Sequence, residues 1–195
     1  QGVDAVLNWR VPVDFGKITL TAAYNYNQNK ILSRNNTLGP LASIPGIVLF
    51  GRQESLRFEK GQPSDKIVLS LDGDIDPIGF TFRTTRYGKV LSPGATAPLA
   101  PNQASFTALG PDDVELSPKW ITDLELRLNA GDRIQLALGA DNVFDVYPDR
   151  LPYGARPASL GGGNYPQNQQ YDAYSIFSPF GFNGRYLYAR ASVTF

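Results

Sequence analysis

Four groups of side chains in this 195-residue sequence have the types and spacing to do chemistry. Asp72, Asp74 and Asp76 alternate as the first ligands of a calcium loop do, but such a loop wants glycine at its sixth place and glutamate at its twelfth, where Pro77 and Arg83 stand. The stretch reads instead as a strand running into a Pro-Gly turn. Gly161, Gly162 and Gly163 are not followed by the Lys-Ser/Thr of a phosphate loop, and read as loop. Asp112, Asp113 and Glu115 could touch a cation or a polar ligand, and are read as solvated acids of a long loop. The last group is the densest. Tyr147, Tyr153, Tyr165, Tyr171, Tyr174, Phe177, Phe180 and Phe182 fall in one stretch with Arg150, Arg156 and Asn164. Tyrosines offer flat amphipathic contacts at low entropy cost. With the polar groups beside them they suit a sugar, an aromatic compound or a chelate, although the same rings could serve only to order the loop.

Composition narrows this further. The chain has no Cys and no His. That removes disulfides, thiol nucleophiles, imidazole bases and the usual zinc ligands, and serine-hydrolase chemistry loses its base. A glycosidase needs only two carboxylates, but none here sits in an acid/base context. No enzyme activity, catalytic residue, metal site or cofactor is expected. Lys plus Arg number 18 and Asp plus Glu 18. That balance, with no basic run, argues against nucleic acid as a partner. No apolar run approaches the ~20 residues of a membrane helix, and no signal peptide is present. The sequence opens at Gln1, inside a strand pattern, so it is expected to continue a longer protein.

The elements that must carry these groups have period two. Val3, Ala5, Leu7, Trp9 and Val11 alternate with polar residues. So do Ile18, Leu20, Ala22, Tyr24 and Tyr26; Ile67, Leu69 and Leu71; and Phe80 and Phe82. The pattern returns at Trp120, Leu124, Leu126 and Leu128, and at Ile134, Leu136, Leu138 and Ala140. It closes with Leu187, Ala189, Ala191, Val193 and Phe195. Seven strands with one apolar and one polar face are predicted. Residues 54–59 have helical spacing. Trp9, Tyr24, Tyr26, Trp120, Tyr186 and Tyr188 stand toward strand ends, where a barrel carries aromatic girdles; the other reading of them is core packing.

The connections alternate in length. Tight turns fall at Asp14-Phe15-Gly16, at Asp76-Pro77-Ile78-Gly79 and at Ala130-Gly131-Asp132. Long connections run over about 30–64, 91–118 and 143–184. Loops beyond roughly 12–15 residues are uncommon in compact domains. Three of them on alternate strand ends are odd for a soluble sandwich. They are expected of an outer-membrane barrel, with its short periplasmic turns and longer external loops. Alternation also keeps mean hydropathy ordinary, here −0.23.

Two stretches carry a resemblance. Residues 136–147 end in Asn142-Val143-Phe144-Asp145-Val146-Tyr147, similar to the penultimate-strand signature of TonB-dependent outer-membrane receptors, which runs Asn-Leu-Phe-Asp and then to Tyr; Val143 is a mild departure. Residues 184–195, with apolar residues at every second place back from Phe195, resemble that family's last strand. By motif the resemblance covers only these two stretches. By rhythm of strand and loop it covers most of the chain.

The resemblance implies an all-β fold: an antiparallel meander of about seven strands, the C-terminal segment (residues 1–195) of a roughly 22-stranded transmembrane barrel around a plug. The plug and earlier strands would precede Gln1. It implies the outer membrane of a Gram-negative bacterium, with membrane lipid as a partner. It further implies coupling to the TonB protein through the missing N-terminal region, and assembly machinery that reads the Phe195 strand. The cargo would be a small-molecule nutrient: an iron chelate, cobalamin or a carbohydrate. Arg150, Tyr153, Arg156, Asn164, Tyr165, Tyr171 and Tyr174 are the ligand-loop residues expected on these grounds. The alternatives are a passive porin-like channel and a soluble β-rich carbohydrate-binding module.

Overall fold

The computed structural model describes residues 1–33, 39–43, 50–94, 109–110, 113–151 and 174–194. The periodic segments form extended backbone as expected. In chain order they are β1 (Gly2–Val11), β2 (Lys17–Asn27), β3 (Asp65–Ile75) and β4 (Ile78–Tyr87). Two three-residue strands follow, β5 (Val90–Ser92) and β6 (Val114–Leu116). Then come β7 (Lys119–Ala130), β8 (Ile134–Asp141) and β9 (Tyr186–Val193). A seven-stranded sheet runs in the order β1-β2-β3-β4-β7-β8-β9, every neighbouring pair antiparallel. The protein is thus an all-β antiparallel meander. The three tight turns lie at one end of the sheet and the three long connections at the other.

Strand β4 extends past the Phe80/Phe82 alternation for a readable reason. Its continuation places Thr84 and Arg86 on the otherwise apolar face, which hides the period. Both are satisfied across the strand: Thr84 shares a hydroxyl hydrogen bond with Thr122 at 3.0 Å, and Arg86 forms an ion pair with Asp65.

The register sorts the side chains. Opposite Leu7 is Ala22, then Leu69 and Thr84; opposite Phe82 is Leu124, then Ala140 and Leu187. One face therefore collects the apolar alternates of all seven strands. Among the described residues nothing covers it: Leu7, Leu126, Leu138 and Leu187 are 66%, 62%, 66% and 70% exposed. Trp9, Tyr24, Tyr26 and Trp120 belong to this face. Tyr186 and Tyr188 do not. Their partners are Asp141 and Gly139 on the opposite face, as alternation with Leu187 and Ala189 requires, so four of the six strand-end aromatics share the apolar face.

The opposite face is polar and cross-linked. Glu125 accepts from the Tyr188 hydroxyl at 2.9 Å and pairs with Arg127 and Arg190, each at 3.2 Å. Arg127 also reaches Asp74 at 3.1 Å and the Thr81 hydroxyl at 2.9 Å. Thr81 and Ser70 in turn donate to Asp72, at 2.9 and 2.5 Å. Two of the three carboxylates of the calcium-like run, Asp72 and Asp74, are thus cross-strand acceptors. Gly139 is required by this arrangement, because a Cβ there would collide with the Tyr188 ring that lies across it.

The buried apolar residues lie largely at the long-connection end. A helix, α1 (Arg52–Lys60), forms where helical spacing predicted one. Leu56 is fully buried on it, the helix packs against β5, and Val90, Leu116 and Leu151 form a small core with Val114 and Phe177 packed against them. Polar contacts clasp the same region. Asp113 pairs with Arg52 and accepts the backbone N–H groups of Gly94 and Gly110, both at 2.8 Å. Its side chain is 3% exposed, so the reading of Asp113 as a solvated acid is corrected: it is a buried hub. Ser175 donates to Ser92 at 2.9 Å, and the Arg57 guanidinium lies 4.7 Å from the centre of the Phe177 ring. Parts of all three long connections thereby form one folded cap. β5 and β6 escaped prediction because three residues are too few to show a period.

Truncating Leu56 tests whether the cap is a unit. Leu56→Ala is expected to cost about 2–5 kcal/mol locally. Amide hydrogen exchange at 90–92 and 114–116 should accelerate while exchange across β2–β3 holds. Equal acceleration in β2 and β3 would show that cap and sheet open together.

Candidate functional site

The third long connection leaves β8 through the Asn142–Tyr147 stretch, and the geometry there explains the residue types. Asn142 is buried, with a positive φ of 51°. Asn tolerates that left-handed backbone better than most residues. Its side-chain amide donates to the Val146 carbonyl at 2.8 Å and accepts the Val146 N–H at 2.9 Å. Its own N–H is held by Asp123 of β7 at 2.9 Å. Asp145, also at positive φ, accepts the Arg185 N–H at 2.8 Å, just ahead of β9. Gly184 precedes it at φ +73°, and a Cβ there would meet the Tyr147 hydroxyl. The motif is a staple: Asn142 closes the turn and Asp145 anchors the returning chain.

The staple aims Tyr147 at the residues that follow. Arg150 and Tyr174 form an isolated antiparallel bridge, which joins the two described ends of the connection. Tyr174 stacks between Tyr147, at 5.8 Å, and Phe182, at 6.1 Å between ring centres. The Arg150 guanidinium stands 6.0 Å over the Tyr174 ring. The result is a column of three rings with a cation beside the middle one. Such a column offers π faces to a flat or sugar-like solute and guanidinium donors to an anionic or carbonyl edge. Tyr147, Phe182 and Arg150 are exposed. The neighbouring Asp145 charge, with some burial, pushes the Tyr147 phenol above its ordinary value.

A second anchor lies beside it. Asp149 pairs with Lys119 at 2.6 Å and accepts the Ser117 N–H at 2.5 Å. Burial alone raises its carboxyl, but the hydrogen bonds from Lys119 and Ser117 and the Lys119 charge outweigh it and hold the group below its ordinary value of 3.8.

Of the ligand-loop residues expected from sequence, the fold brings Arg150 and Tyr174 together. Tyr153, Arg156, Asn164, Tyr165 and Tyr171 lie outside the described residues, as do Gly161–Gly163, Asp112 and Phe195. Tyr147 and Phe182 share the column with Tyr174. Phe177 and Phe180 instead serve the cap, against Arg57 and, at 5.7 Å, Tyr87. Sequence reasoning missed the positioning pair Lys119–Asp149. Its members are thirty residues apart, and nothing in their local spacing links them.

Fold and site together describe an antiparallel meander with a folded cap and an exposed aromatic column at one end. No protein-family model matches the chain, and no curated protein matches it. Among solved structures, it is similar to two mutant forms of the ferric enterobactin receptor from Pseudomonas aeruginosa, at 19% and 18% identity and a TM-score of 0.45 for each. The likeness covers 100% of this chain and 31% of the receptor chain, so the sequence spans under a third of the length of those structures.

Two outcomes follow from the staple and its anchor. Asn142→Ala leaves the partly buried carbonyl and N–H of Val146 unpaired, each costing at most about 1–3 kcal/mol. The amides of Val146 and Arg185 should then exchange faster, with those of β1–β2 unchanged. For Asp149 the native pKa is depressed, so its pairing stabilises the native state in full above the unfolded pKa and is lost as pH falls through the native one. The stability difference between the unmodified chain and Lys119→Met, followed by hydrogen exchange at Ser117, should therefore be constant from neutral pH to about pH 5 and shrink below about pH 4. A difference that persists undiminished in stronger acid would refute the role of the carboxylate.

Proposed function

We propose that the chain is the C-terminal part of the barrel of a TonB-dependent receptor in a Gram-negative outer membrane, and that the whole protein takes up a small-molecule nutrient. The observation that carries this reading is the uncovered apolar face, seven strands wide, backed by a cross-linked polar face. A face of that extent in water marks an interaction surface. An alternating barrel meets it with lipid outside and a polar lumen inside. Strand lengths of 8 to 12 residues match the ~9–11 needed to cross obliquely. Tight turns at one end and a folded cap at the other fit periplasmic and external ends. The resemblance of residues 136–147 and 184–195 to the receptor family supports the TonB-dependent class over a passive channel.

In this reading the polar face lines the lumen, and the aromatic column of Tyr147, Tyr174 and Phe182 with Arg150 contributes to ligand capture outside. Tyr153, Arg156, Asn164, Tyr165 and Tyr171 belong to the same connection. Lipid contacts the apolar face, the barrel-assembly machinery reads the last strand, and TonB engages a region ahead of Gln1. No catalysis is assigned.

Arginine scanning of β9 tests the membrane face. In the full-length protein, Ala191→Arg should destabilise folding into lipid by roughly 2–4 kcal/mol, and Ser192→Arg by far less. Equal penalties, measured by denaturant titration in bilayers, would sink the assignment. For capture, Arg150→Ala combined with Tyr174→Ala should weaken binding of the native nutrient about tenfold, with surface expression intact. Unchanged affinity would remove the column from the site. Uptake that survives dissipation of the inner-membrane potential would favour the passive channel.

A further inference from the structure

A cleft of ≈ 460 Å³ opens where the first and second long connections meet over the ends of β2 and β3. It shares no lining residue with the aromatic column. Its volume falls in the range of small-molecule sites, and its lining mixes polar and charged residues with the apolar Val90, Leu91 and Leu109. Gln28, Gln62, Tyr26, Lys30, Lys60 and Lys89 are among the residues that line it, with Glu59 and Glu115.

The charges in this cleft are unevenly engaged. Glu115 pairs with Lys89 at 3.0 Å. Glu59 accepts the Ile31 backbone N–H at 2.8 Å. Lys30 and Lys60 stand in no ion pair among the described residues. The cleft therefore offers two uncommitted ammonium donors, amides that both donate and accept, and one aromatic ring. Each part matches a different part of one ligand class. Ammonium groups take a phosphate or carboxylate as point charges. Carboxamides pair with hydroxyls, which also donate and accept. A tyrosine ring packs against the apolar C–H face of a pyranose.

We propose that this cleft binds an acidic saccharide, a sugar carrying phosphate or carboxylate. The sugar can be free or the headgroup of a glycolipid, and the chemistry is shared. The inference rests on the fold alone, not on membrane insertion or on nutrient uptake, so it stands or falls separately from them.

The test uses the full-length protein, titrated calorimetrically with sialyllactose and with its neutral parent lactose. Sialyllactose should bind at least about tenfold tighter than lactose. Lys30→Gln with Lys60→Gln should bring sialyllactose down to the lactose level. Lys17→Gln, at the far end of the sheet, should change nothing. Unaltered thermal melting of the variants separates lost binding from lost folding. Adding phosphatidylcholine nanodiscs with or without lipid A assigns the source. Blocking of sialyllactose only when lipid A is present identifies a headgroup site, and failure to block identifies a free saccharide. The proposal is overturned if the double variant binds sialyllactose as the unmodified protein does. It is equally overturned if the unmodified protein binds neither sialyllactose nor lipid A.

Discussion

Everything in this molecule depends on the cross-strand register of one continuous meander. Side chains in a strand alternate with a period of two, so a slip of a single residue would exchange the faces. The register observed places Leu7 beside Ala22 and Leu69, and Leu128 beside Leu136 and Ala191, without a break across seven strands. The same register assembles Glu125, Arg127, Asp74 and Tyr188 on the opposite side. Individually, such partly exposed ion pairs contribute little. Jointly they penalise every odd-numbered slip, since each would carry these charges onto the apolar face.

Among the described residues, no second layer packs on the apolar side of the sheet. The small cap core cannot substitute, since Leu56, Val90, Leu116 and Leu151 lie beyond the strand ends. The cap answers a different problem. Long connections cost conformational entropy to order, and here that cost is offset by tying them to one another. Asp113 with Arg52, Ser175 with Ser92 and Arg57 with Phe177 each join segments distant in sequence. The aromatic column therefore stands on an ordered base.

The Asn142–Tyr147 stretch links the two halves of this design. Asn142 ends β8 by supplying its own turn hydrogen bonds, and Asp145 fixes where β9 begins. Its residue types follow from positive φ and from buried backbone groups that need partners. The motif that carries the resemblance to a receptor family is thus accounted for by structure.

The sequence by itself determined the strands, their faces and the short–long order of the connections, because alternation and turn residues act over a few positions and need no knowledge of distant partners. It also determined the helix near Glu54–Glu59. Tertiary structure alone decided what depends on pairing across the chain. It laid the Tyr188 ring across Gly139 and brought its hydroxyl to Glu125, 63 residues away, because β9 pairs with β8 beside β7. It buried Asp113, which an acidic loop sequence marks as solvated, because Arg52 and two backbone N–H groups converge on it from elsewhere. And it chose Tyr147 and Phe182, from a stretch of many aromatics, as the neighbours of Tyr174. Which rings stack is a matter of where two chain segments cross, and local spacing carries no record of that.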